Sequence, residues 1–166
     1  MLGDYVMRRS LERDKEQLRI LFKKSFGDMA EQCGALDWVD GRYMLTLKED
    51  IIISCTGILP LTKSDFNGYE VTWTCTLKEY RHQGFIVSML AACEKELQED
   101  KPIYCSCWHL PNKEKANLHN ALTQLGYKEV IHTHVSRMYP HTGECIGCCY
   151  KGDGCYCTGD LYYKVR

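Results

Sequence analysis

The chain has 166 residues, 45% of them apolar, and a net charge of −1. This suits one domain with a buried core and excludes a general basic field for nucleic acid. No apolar run approaches the about 18 residues of a membrane span, and the N-terminus lacks a signal peptide's apolar region, so a cytoplasmic protein with reduced thiols is expected.

Tyr5 to Arg9 reads as a first strand. A helix follows, with Asp14 and Gln17 at capping-box spacing and Leu18, Leu21, Phe22 and Phe26 on one face; Gly27 can stop it. Met29 to Val39 is less regular and reads as a short helix or an ordered loop. Tyr43 to Leu47 and Ile51 to Leu61 read as strands joined by a turn at Glu49-Asp50, with Gly57 as a candidate bulge. Val71 to Leu77 is another strand. It feeds Arg81-His82-Gln83-Gly84-Phe85-Ile86, which opens a helix marked by Ile86, Met89, Leu90, Cys93 and Leu97. Pro102 to Trp108 is a strand. Pro111-Asn112 starts a helix with Leu118, Ala121, Leu122 and Leu125, and Gly126 caps it. Tyr127 to His132 and His134 to Tyr139 read as two final strands, and Asp160 to Val165 can return as a terminal strand.

A glycine loop between a strand and a helix N-terminus is suited to phosphate. The helix start has unpaired N–H groups and the positive end of the peptide dipole, and Gly84 permits close backbone approach. An ordinary strand–turn–helix is the plainer reading of the same residues. The Gly-Lys-Ser/Thr ending of a P-loop is absent, and a single glycine makes no dinucleotide fingerprint.

Tyr80-Arg81-His82-Gln83-Gly84-Phe85 resembles the pyrophosphate loop of the GNAT N-acetyltransferase superfamily, Arg/Gln-x-x-Gly-x-Gly/Ala, with Ile86 in place of the last small residue. The element order and the helix exit Leu125-Gly126-Tyr127 resemble that family too. The resemblance covers residues 5–140. It implies a mixed α/β (α+β) fold with a central sheet flanked by helices, and a domain at 1–140 followed by a cysteine-rich extension at 141–166.

It also implies an acetyl-CoA-dependent N-acetyltransferase that transfers directly to an amine. Gln83 to Ile86, with Arg81 and His82, would hold the pyrophosphate. The backbone of Cys75, Thr76 and Leu77 would pair with pantetheine, and Asn117 would contact the cofactor or cap its helix. The family's frequent Tyr four residues before the helix-ending glycine is Leu122 here. His119 is then the candidate acid, or a surface histidine; Glu70 is the candidate base acting through water, or a charge at a strand end. Cys75 is a nucleophile on paper only. The expected partners are acetyl-CoA and an amine, with a homodimer left open and neither nucleic acid nor membrane involved. A non-catalytic acyl-CoA-binding domain is the alternative.

Eleven cysteines are present, five of them between positions 145 and 157. Cys145, Cys148, Cys155 and Cys157 could chelate one Zn²⁺ as a structural four-thiolate set, with Cys149 or His141 as substitutes. A disulfide-linked or flexible tail, an iron–sulfur cluster, or a metal- or redox-responsive interaction module are the other readings of this segment.

Overall fold

The computed structural model describes residues 4–61, 67–109, 115–134 and 158–166. In chain order the elements are β1 (Tyr5–Arg9), α1 (Lys15–Phe26), α2 (Met29–Gln32), β2 (Met44–Lys48), β3 (Ile51–Pro60), β4 (Tyr69–Thr76), α3 (Phe85–Glu96), β5 (Ile103–His109), α4 (His119–Gln124), β6 (Lys128–His134) and β7 (Thr158–Lys164). The strands form one seven-stranded sheet in the order β1-β2-β3-β4-β5-β7-β6. All pairings are antiparallel except β4 with β5. This is the mixed α/β architecture that the element order implied.

Each face of the sheet buries its own core. Met89, Leu90 and Cys93 of α3 and Leu122 of α4 pack with Ile53, Val71, Ile103, Cys105 and Tyr162 on one face. Leu18, Leu21 and Phe22 of α1 pack with Ala30, Leu36, Val39, Leu45, Ile52 and Cys75 on the other. The irregular 29–43 stretch is fixed by polar bonds that burial strengthens. Tyr43 Oη donates to Ala35 O (2.6 Å), Ser10 Oγ donates to Val39 O (2.5 Å), and Tyr43 N–H donates to Ser10 Oγ (2.9 Å). Glu94 of α3 accepts from Tyr127 Oη (2.8 Å) and pairs with Lys164 Nζ of β7 (2.5 Å), joining the helix to the far side of the sheet.

Several sequence expectations are corrected. Asp14 and Gln17 do not form a capping box. Asp14 is engaged by Arg8 through two bonds of 2.6 and 2.8 Å and by the Leu11 N–H (2.8 Å), and Gln17 reaches across to Ile52 and Asp50. Pro111-Asn112 lie outside the described residues; residues 117–118 form a turn, and the helix expected there begins at His119. Gly126 does end it, with Tyr127 N–H reaching back to Leu122 O (3.0 Å). Tyr127 onward gives one described strand, β6, and most of the expected 134–139 strand lies outside the described residues.

The partner of β6 is instead β7, from the C-terminal segment, as the returning strand anticipated. Because β7 lies between β5 and β6, the sheet does not close within residues 1–140. The cysteine-rich stretch is therefore part of the connection from β6 to β7. Cys145, Cys148, Cys155 and Cys157 lie outside the described residues. Among the described residues no group of three or more His, Cys, Asp or Glu side chains is placed to hold a metal, and no helix is long and apolar enough to cross a membrane.

The Arg8–Asp14 pair yields a stability test. Its side chains are 28% and 4% exposed, and the Arg8 hydrogen bonds hold the Asp14 carboxyl below its ordinary value. A lowered carboxyl contributes stability that is present above its unfolded value, about 3.9, and lost as pH falls through the lower folded value. Asp14→Asn should cost about 1–3 kcal/mol at pH 7, as for hydrogen bonds to charged groups. In urea unfolding at a series of pH values, the gap from wild type should shrink between about pH 5 and pH 2. A gap independent of pH would show that the pair contributes nothing through its charge.

Candidate active site

The site begins with one extra residue in β4. Opposite Cys55 to Gly57 of β3, two steps long, β4 runs three steps from Cys75 back to Thr72. The bulge therefore belongs to β4, not to Gly57 as expected. Gly57 serves the crossing differently: a Cβ there would stand 3.1 Å from the Tyr43 ring and 3.3 Å from Thr72 Cγ2. At the bulge, Trp73 adopts a left-handed backbone (φ 49°), a conformation rare for bulky residues.

The bulge reverses the strand's phase. Tyr69 N–H points to β5, bonding Pro102 O (2.9 Å), whereas Leu77 N–H points to β3, bonding Ile53 O (2.9 Å). In a regular strand, positions separated by an even number would point the same way. Side chains reverse too: Tyr69 and Val71 face α3, while Cys75 faces α1.

β4 and β5 pair only over Tyr69–Val71 and Ile103–Cys105. Beyond that level β4 continues to Thr76 and β5 to His109 without pairing to each other. By alternation back from Leu77, the backbones of Thr74 and Thr76 face this open side. Cys75 and Leu77 address β3: Cys75 O accepts from Ser54 Oγ (3.0 Å), and Leu77 N–H is taken by Ile53. Of the three residues expected to pair with pantetheine, Thr76 is the one turned to the opening. Its carbonyl accepts from Arg81 Nε (3.2 Å).

The loop follows directly. Arg81 is extended, His82 is left-handed (φ 64°), and Gly84 is left-handed (φ 80°) at the cap of α3. The left-handed turns at His82 and Gly84 carry the chain sharply from the strand into the helix. The first bond of α3 runs from Ser88 N–H to Gly84 O (3.1 Å). Phe85 and Ile86 N–H thus have no intrahelical acceptor, and a glycine cap offers no side chain to them. Residues 81–84 are exposed, and a Cβ on Gly84 would meet nothing within 4 Å. Strand β1 braces the loop: the Tyr5 ring stands edge-on to Phe85 (4.9 Å), and Tyr5 Oη donates to Gln83 Oε1 (3.3 Å).

Level with the end of the β4–β5 pairing, Val71, Cys105 and Tyr162 align across three strands. Tyr162 Oη lies 2.8 Å from His119 Nδ1 at the start of α4, and Glu129 Oε2 lies 3.7 Å from the same nitrogen. Burial, reinforced by the Asp160 and Glu129 charges, pushes the Tyr162 phenol up, so it remains a hydroxyl at neutral pH. The two groups share one hydrogen bond, in which the imidazole tautomer sets which atom donates. Sequence reasoning found His119 but not Tyr162, which lies 43 residues away in β7.

Leu122, at the usual tyrosine position, is fully buried in the core. Glu70 lies in the paired part of β4, between Leu59 and Tyr104. Asn117 is exposed in the turn before α4. Cys75 is buried, and burial pushes its thiol up to about 12, more than the Ser25 hydrogen bond and the Arg81 charge lower it. It is no thiolate nucleophile at neutral pH.

No family model matches the chain, and no curated protein matches its sequence. Solved structures do match it. YncA of Salmonella typhimurium, with its cofactor acetyl-CoA, aligns at TM-score 0.72 and 9% identity over 98% of this chain and 94% of that one. Arabidopsis thaliana Naa50, in complex with the bisubstrate analogue CoA-Ac-MVNAL, aligns at 0.66 and 13% identity over 98% and 99%. A candidate acetyltransferase of Pyrococcus horikoshii aligns at 0.61 and 10% identity over 81% of this chain, which spans only 47% of that longer protein.

The thiol assignment can be checked by labelling. Iodoacetamide at pH 8, read by peptide mapping of the native protein, should modify exposed Cys33 at least about tenfold faster than Cys75. Comparable rates would mean that Cys75 is reachable and activated. A split parallel pair, a bulged strand and a glycine-capped helix in one seven-stranded sheet, together with these structural matches, give this protein the GNAT acetyltransferase fold.

Proposed function

We propose that this protein is an acetyl-CoA-dependent N-acetyltransferase that passes the acetyl group directly to an amine. The observation that carries the reading is the junction of the β4–β5 split with the glycine-capped start of α3. The split offers an unpaired strand edge to an amide-bearing chain, and the loop offers backbone N–H groups to a diphosphate. Coenzyme A has both parts in that order. The acetyl-CoA in the Salmonella protein and the CoA-containing analogue in Arabidopsis Naa50 support the same ligand.

In this reading the N–H groups of Gln83 to Ile86 take the diphosphate, and Arg81 and His82 flank it. The Thr76 backbone pairs with pantetheine, displacing Arg81 Nε from its carbonyl. The Thr74 N–H lies beside the thioester carbonyl and stabilises the oxygen as it gains charge. The amine nitrogen attacks the carbonyl carbon, the C–S bond breaks, and the thiolate takes a proton from Nε2 of His119 in its imidazolium form, whose Nδ1–H stays bonded to Tyr162 Oη, leaving a neutral imidazole. Glu70 receives the amine's proton through water. Tyr162 and Glu129 keep His119 oriented.

A non-catalytic acyl-CoA-binding domain is the second reading, favoured by the buried Leu122 in place of a phenol. The two part at turnover. If the first holds, His119→Ala should lower kcat by about 10²-fold or more while acetyl-CoA affinity is unchanged. Acetyl-CoA bound by wild type, with no acetylated product across an amine panel, would select the second.

Binding has its own test. Gly84→Val fits sterically within the protein but cannot hold φ 80° without strain, and its side chain occupies the ligand's approach. Calorimetry should show acetyl-CoA affinity reduced about tenfold or more with the circular dichroism spectrum unchanged. Unaltered affinity in the folded variant would place the ligand elsewhere.

A further inference from the structure

Trp73 sits on the bulge with a backbone strained for an aromatic residue (φ 49°). Such strain persists only where the surroundings over-determine it. The surroundings here are two rings of α1: Phe26, edge-on at 5.5 Å, and Phe22 at 6.1 Å. Glycine at the bulge would avoid the strain, so a side chain is kept there against it. Trp73 and Phe26 are both only partly buried.

The geometry points to Trp73 and Phe26 as the wall of the acceptor subsite, selecting an amine carried next to an apolar, preferably aromatic, group. The inference rests on the acetyl-transfer reading of the same site. Under that reading the reacting carbon lies beside the bulge. Packed side chains of α3 and α4 close one face of the sheet there. An acceptor then arrives at the margin of the opposite face, where Trp73 and Phe26, at the end of α1, are only partly buried.

Phe22, Ser25, Phe26, Cys75 and Leu77 stand around the bulge on that face. Arg81 is close enough to lower the Cys75 thiol through its charge. The Glu70 carboxylate is taken up by the reacting amine, so a second cation on the acceptor would meet this guanidinium. An apolar group would meet two aromatic faces.

The experiment uses the full chain and three acceptors of graded chemistry, ethylamine, 2-phenylethylamine and 1,4-diaminobutane, with acetylated product read by mass spectrometry and acetyl-CoA affinity by calorimetry. 2-Phenylethylamine should exceed both others in kcat/KM by about tenfold or more. Trp73→Leu should shrink that ratio to within about threefold while acetyl-CoA affinity stays the same. Phe26→Leu, which leaves the strained backbone alone, should shrink it in the same direction and serves if Trp73→Leu does not fold.

Preference for the diamine, or an unchanged ratio in the folded variants, would overturn the proposal. So would acetylation of other amines in a wider panel with none of these three acetylated. Loss of acetyl-CoA binding in wild type would instead overturn the underlying function, and the acceptor wall with it.

Discussion

The rest of the structure depends on one extra residue in a strand. β4 must stay hydrogen-bonded to β3 along most of its length, because each buried unpaired backbone group would cost about 1–3 kcal/mol. It must also leave β5 after three paired residues. The bulge reconciles the two demands. It shifts the phase of β4 by one position, so that Leu77 can bond Ile53 while Thr74 and Thr76 turn to the opening. Without that shift, the open side would present a different set of backbone groups, and Cys75 would face α3 instead of α1.

Different elements then hold the parts of the site. Strand β4 supplies an edge, and the loop after it leads into the unpaired N–H groups at the positive end of α3. Tyr5 of β1 braces that loop from the far edge of the sheet. On one face, β7 brings Tyr162 to His119; on the other, α1 brings Phe26 to Trp73. The chemistry is assembled from segments distant in sequence, and the sheet order is what makes them neighbours. The insertion of β7 between β5 and β6 matters most here, because His119 gains its hydrogen-bond partner through it.

The parts legible in the sequence were those set by local rules. Periodicity marked α1 and α3, glycine marked the loop and the end of α4, and the strand–loop–helix junction fell where Gly84 required it. The bulge was hidden for a physical reason. Tyr69, Val71, Trp73, Cys75 and Leu77 alternate with Glu70, Thr72, Thr74 and Thr76, a regular period of two. Both faces of this sheet are covered, so a phase reversal moves apolar side chains from one core to another and leaves no mark on the pattern. Tyr162 was hidden by distance: nothing near β7 indicates that it lies across from α4. The Asp14–Gln17 spacing misled because a tertiary partner, Arg8, took the carboxylate that a local cap would have used.

The central claim is that coenzyme A lies along the open edge of β4 with its diphosphate on the loop. Amide hydrogen exchange, resolved to single residues with and without acetyl-CoA, tests it most directly. The account predicts slowed exchange at Thr76, and at Gln83 to Ile86, with little change at Leu77, whose N–H is already bonded to Ile53. Protection confined to other parts of the sheet, with exchange at Thr76 and the loop unaltered by acetyl-CoA, would contradict it.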